Sequence, residues 1–263
     1  METDKLRSYT NRLQTELTPG ELPAVTAAMA AIAALAWVAM FDGWLPMPMP
    51  ETGPMSAPGI PEAIGTSNGL GGVVAYLLMF GVMMIAMMYP AMVPFVRRYA
   101  DAVEGSTADV ATAAGGFLAA YSLVWTAVGV VPLALDALVD VHGLLASHGA
   151  FVLGGALVAA GLYQFSDYKQ RTLADCCGDV GSVTGELGPA LRDGLDHGIE
   201  CVRCTGFLMA LLVVLGTMNA FMMLLVTFVV TLERHAGSEI ATSVGLLATA
   251  SGLVVWLFGV SPL

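Results

Sequence analysis

LGGVVAYLLMFGVMMIAMMYPAMVPFV, residues Leu70–Val96, carries no charged side chain over a length beyond the roughly 20 apolar residues that a bilayer-crossing helix needs. The same character returns at Ala24–Phe41, Ala111–Leu138, Gly149–Phe165, Thr205–Leu232 and Ile240–Val260. Each stretch is rich in Ala, Gly, Val, Leu and Met, and a helix satisfies its own backbone polar groups where lipid offers no partner. The short alternating segments of a membrane β-barrel are missing. With 57% hydrophobic and 12% charged residues, against about 25% charged in soluble domains, the chain cannot hide its apolar side chains in one water-soluble core. The sequence therefore predicts an all-α polytopic membrane helical bundle of about six transmembrane helices, organised as a single membrane domain over 1–263.

Basic residues set the orientation, because Lys and Arg beside short loops stay cytoplasmic. Lys5, Arg7 and Arg12 precede the first span, Arg97 and Arg98 follow the second, and Lys169, Arg171, Arg192 and Arg203 lie between the fourth and fifth. These share one face of a six-span chain, and Arg234 alone falls opposite. The reading puts both termini in the cytoplasm of a multi-pass protein of the cell membrane, with a cytoplasmic N-terminal segment 1–22. The loops 42–69 and 139–148 lack Lys and Arg and belong outside. Phe41-Asp42-Gly43-Trp44 is a poor cleavage site, so the first span reads as a retained helix.

The net charge of -11 leaves no basic stripe for nucleic acid. Acid excess with only Lys5 and Lys169 as lysines resembles haloarchaeal composition, which assigns no activity. The outer loop Pro46-Met47-Pro48-Met49-Pro50, continuing through Met55, reads as an extended Pro-rich linker. Gly81–Met88 and Gly216–Met223 both read G-x-M-x-x-x-M-M, and their opposite directions in a six-span chain suggest a 3+3 inverted repeat.

All four cysteines fall in the polar stretch 166–204, expected to be a cytoplasmic loop. In His197-Gly198-Ile199-Glu200-Cys201-Val202-Arg203-Cys204 the spacings of four and three put His197, Cys201 and Cys204 on one helical face. Thiolates and imidazole are donors for zinc, and thiolates suit copper(I). His197 and Cys204 lie about 10 Å apart along an ideal helix, so one ion takes all three only if the helix starts after His197. Cys176 and Cys177 complete a site if the intervening Gly-rich segment folds back. The bland reading of the cysteines is small packing residues at a helix end.

Met84 and Met88 lie one turn apart, as do Met83 and Met87, ahead of Pro90 and Pro94, which are expected to kink the helix and free carbonyls. Neutral thioethers suit copper(I) in hydrocarbon, although methionine also fills gaps between helices. Met218 and Asn219 occupy the matching stretch of the fifth segment, which is either one straight span or breaks at Gly216. Lys169 is expected to snorkel to headgroups, and Glu233 and Arg234 to mark the outer end of the fifth span. There is no nucleotide-binding G-x-x-x-x-G-K-[ST] loop and no nucleophile, base and orienter set, so a non-enzyme is favoured.

In combination, Met83-Met84-Ile85-Ala86-Met87-Met88-Tyr89-Pro90, the run from Tyr163-Gln164 through Lys169 to Cys176, and His197-Gly198 through Cys201-Val202-Arg203-Cys204 into Met218-Asn219 and Glu233 resemble one family. It is the group described as predicted metal-binding integral membrane proteins, a domain of unknown function. The resemblance implies a multi-span protein with a metal site and points to Met84, Met87, Met88, His197, Cys201 and Cys204. The expectation is a membrane protein that binds a soft transition metal, copper(I) before zinc, for transport, delivery or homeostasis. Its expected partners are the bilayer, a metallochaperone or membrane-complex subunits, and no nucleic acid. The alternatives are a non-transporting subunit of a redox or oxygenase complex and a metal-free structural helical partner.

Overall fold

The computed structural model describes residues 24–45, 54–178 and 180–259. The expectations resting on Lys5, Arg7, Arg12, Met47 and Met49 lie outside these residues. The fold is all-α. Six stretches are long and apolar enough to cross a membrane by length and composition: Ala24–Phe41, Gly69–Asp101, Thr107–Val139, Val141–Gln164, Leu187–Leu215 and Ser238–Phe258. The helices are α1 (Ala24–Phe41), α2 (Ile60–Ser67), α3 (Gly69–Asp101), α4 (Thr107–Val128), α5 (Val130–Val139), α6 (Val141–Gln164), α7 (Asp167–Cys176), α8 (Leu187–Leu215), α9 (Ala220–Ala236) and α10 (Ser238–Phe258). Leu35, Leu78, Leu123, Phe151, Phe207, Phe228 and Leu247 stand exposed on the helix exteriors, the pattern of helices whose outer faces meet an apolar medium rather than water.

The principal helix pairs are α6 with α10, α4 with α8, and α1 with α3. Small residues permit the closest of these approaches. A Cβ at Gly252 would come within 2.7 Å of the Gly154 carbonyl oxygen, and one at Gly161 within 2.7 Å of that of Gly245, so α6 and α10 pack backbone to backbone. Trp256 Nε1 closes this pair by donating to the Phe151 carbonyl at 2.9 Å. Two short parallel strands, Val103–Glu104 and Val183–Thr184, pair the loops that enter α4 and α8.

α3 runs through Pro90 and Pro94 as one helix. Proline at position 90 has no N–H for the Ala86 carbonyl. Trp37 Nε1 of α1 donates to that oxygen instead at 3.1 Å, so a tertiary hydrogen bond replaces the helical one.

The fifth segment departs most from expectation. α8 starts at Leu187, so the polar stretch 166–204 is not a loop but α7, a strand and the first half of α8. α8 then stops at Gly216 (φ 97°). A Cβ there would meet the Ser56 carbonyl oxygen at 2.1 Å. Asn219 caps α9, its Oδ1 accepting from the Met222 N–H at 3.2 Å. α9 runs back alongside α8, bringing Glu233 to Lys169 and Arg234 to Cys176. Arg234 is therefore at the same end as Arg98 and Lys169, not opposite them. α10 then starts beside Arg234, and its last turn packs against Phe151 of α6. The two G-x-M-x-x-x-M-M stretches also differ locally, the first wholly helical and the second straddling the break.

Candidate metal centre

Ser166 caps the start of α7, its Oγ accepting from the Lys169 N–H at 3.1 Å. It ends at Cys176, which this short helix delivers against the middle of α8. His197, Cys201 and Cys204 share the inward face of α8, as their spacing requires. Cys176 and Cys201 are fully buried, Cys204 and His197 nearly so, and all four cysteines are free thiols. Cys176 Sγ lies 3.7 Å from His197 Nε2. The fold-back that the sequence left open is thus made, by α7 rather than by a Gly-rich loop.

Three sulfurs converge on one cation. Arg234 Nη2 donates to Cys201 Sγ at 2.7 Å and to Cys176 Sγ at 2.9 Å, while Nη1 reaches Met92 Sδ at 2.8 Å. Tyr121 Oη, 3.2 Å from Cys201 Sγ, completes that sulfur's surroundings. The buried Arg234 Nε has no partner among the described residues. Hydrogen bonds with Cys201 and Cys204 push the Cys176 thiol well above its usual range, and burial adds to the effect. Burial also raises Cys177.

A second cation stands beside the first. Lys169 is fully buried and donates to Glu233 Oε2 at 2.8 Å and to the Cys204 carbonyl at 2.7 Å, with Cys204 Sγ at 3.6 Å. Gln164 Nε2 donates to the other Glu233 oxygen. Lys169 therefore does not snorkel to headgroups. Removing one partner of such a buried pair typically costs about 3–5 kcal/mol, because the other charge is left uncompensated.

The expected residues divide into groups. Cys176, His197, Cys201 and Cys204 come together. Met84, Met87 and Met88 are buried along α3, with Met88 one turn from Met92, whose thioether is the one beside the thiols. Met218 is half-buried in the α8–α9 break, at the far end of α8 from Cys201. Sequence reasoning missed Met92 and the place of Arg234. The first had a signal, since Met84, Met88 and Met92 repeat every four residues along one face. The second depends on α9 turning back.

The donor chemistry fits a soft monovalent metal: two thiols and a thioether around a position that a cation already occupies, with a further thiol and an imidazole adjacent. Among the described residues no three His, Cys, Asp or Glu residues have the arrangement of a metal site.

A family model described as PpoB2, copper chaperone, matches residues 77–255, from α3 through most of α10. It agrees with the expectation of a metal-related family and specifies copper. No curated protein and no solved structure matches the chain.

Proposed function

Because this chain belongs to the PpoB2 copper chaperone family, we propose that it is a membrane-embedded copper(I) carrier whose cargo rests between Cys176, Cys201 and Met92. The observation that carries this reading is the convergence of those three sulfurs on the Arg234 guanidinium. Copper(I) favours soft sulfur donors and tolerates low coordination numbers. Cys204 and His197 are positioned as exchange ligands for taking up or handing over the ion. Met84 and Met88, on the face that ends at Met92, form a neutral thioether path toward the thiols, where a charged ligand would be costly to desolvate. Loading puts the copper(I) ion where the guanidinium stands, and the protons of the thiols that bind it are released.

The test is copper(I) loading of detergent-purified protein under reducing conditions. Near-stoichiometric copper with an all-sulfur first shell by X-ray absorption is expected for the wild type. Cys176→Ser/Cys201→Ser is expected to lose the ion, and Met92→Leu to hold it more weakly. Full copper retention by the double serine variant would remove the site from these residues, and no binding by any form would remove the reading.

A further inference from the structure

At the end of the bundle away from the thiols, Glu62 of α2 is completely buried. Its Oε1 accepts from Tyr76 Oη of α3 at 2.8 Å and from Thr217 Oγ1 at 2.6 Å. Its Oε2 is buried and has no partner among the described residues. The groups facing it are Tyr76 from α3, Thr217 from the α8–α9 break and Asp136 from α5, against which α2 packs. Asp136 is itself buried and accepts from the Val141 N–H at 3.1 Å. His142, on the neighbouring first turn of α6, has its Nδ1 3.2 Å from the Pro58 carbonyl oxygen. No Lys or Arg is among these groups.

This geometry suits a neutral acid. A carbonyl oxygen has two lone pairs and receives two donors here, while an O–H at Oε2 is a far cheaper group to bury unpaired than half of a carboxylate charge. A second acid nearby and no cation push in the same direction. Burial raises the Glu62 carboxyl above its ordinary range, outweighing the hydrogen bonds from Thr217 and Tyr76 that pull it down, with a smaller upward push from Asp136.

We propose that Glu62 is a proton-binding site that latches the α8–α9 hinge. The protonated carboxyl ties Tyr76 on one side to Thr217 on the other, one residue after Gly216, whose φ of 97° marks the turn. Loss of the proton puts an uncompensated charge between the two elements, and the hinge separates from α2. The site takes a proton rather than a metal ion, since its oxygen donors are already held by hydroxyl groups. It stands apart from the thiols and does not depend on their binding copper.

The sign follows from the raised carboxyl. Stability from the latch is fully present below the unfolded carboxyl pKa of about 4.3 and is lost as pH rises toward the folded value. The wild type is therefore expected to melt at progressively lower temperature as pH increases through that window. Glu62→Gln, permanently neutral and of the same shape, is expected to remove this component of the slope. Hydrogen exchange across Gly216–Met223 is expected to increase with ionisation in the wild type beyond the intrinsic pH effect, and not in the variant. In infrared spectra a buried neutral carboxyl band is expected, absent in Glu62→Gln and shifted in Tyr76→Phe, which also serves if the glutamine variant does not fold. Identical pH profiles for wild type and Glu62→Gln, or absence of the neutral band, would overturn the proposal. So would a metal ion retained by wild type and lost on Glu62→Gln.

Discussion

Arg234 holds a permanent charge, since a guanidinium does not lose its proton in a protein. Its position among Met92, Cys176 and Cys201 makes it a competitor for any cation bound there. Replacing it with methionine removes the competitor and keeps much of the apolar stem. Arg234→Met is expected to raise copper(I) affinity on the order of tenfold, equivalent to about 1.4 kcal/mol, read by competition with a chromophoric copper(I) chelator. A lower affinity would mean that the guanidinium serves to keep the thiols ionised rather than to hold the metal's place. Much of this cluster was readable from sequence, because spacings of four and three put side chains on one helical face wherever a helix forms. Cys176 was readable only as a condition, since a contact with a residue 21 positions away depends on how α7 is aimed. Lys169 was misread for the opposite reason: its burial is tolerated only because Glu233 meets it, and nothing local announces a partner 64 residues away.

The spans themselves were legible, because bilayer thickness converts directly into a minimum apolar length. What length and polarity do not encode is where an apolar run stops being one helix. Gly216 was visible as the alternative break point of the segment, but glycine within an apolar segment serves equally for close helix packing. The structure distinguishes the uses. At Gly216 the backbone is left-handed and the Ser56 carbonyl would be 2.1 Å from a Cβ, whereas at Gly71, inside α3, nothing lies within 4 Å. Gly216→Ala is therefore expected to destabilise the protein by about 1–3 kcal/mol. Gly71→Ala is expected to be neutral or stabilising by about 0.5–1 kcal/mol, since alanine is the better helix former. Thermal melting of the two variants in one detergent checks the pair. Equal effects would show that the α8–α9 turn does not require a left-handed residue.

Over the whole molecule, the turn at Gly216 reverses the chain within one apolar segment and with it the reading of charge. In a six-span chain Arg234 was the one basic residue on the wrong side. With α9 running back, the described basic residues Arg97, Arg98, Lys169, Arg171, Arg192, Arg203 and Arg234 gather at the end that holds the thiols. α9 has 17 residues, about 25 Å of helix at 1.5 Å per residue, close to the roughly 30 Å of a hydrocarbon core. The retention of Lys and Arg on the cytoplasmic side then predicts that the thiol cluster faces the cytoplasm and Glu62 the exterior. It also predicts that α10 finishes outside. A reporter active only in the cytoplasm is expected to be silent after Gly259 and active in the segment between α7 and α8, while a reporter active only outside the cell is expected to show the reverse. A cytoplasmic signal after Gly259 together with a cytoplasmic segment between α7 and α8 would require α9 and α10 not to traverse as a pair. In that case the contacts of Glu233 with Lys169 and of Trp256 with Phe151 could not both hold.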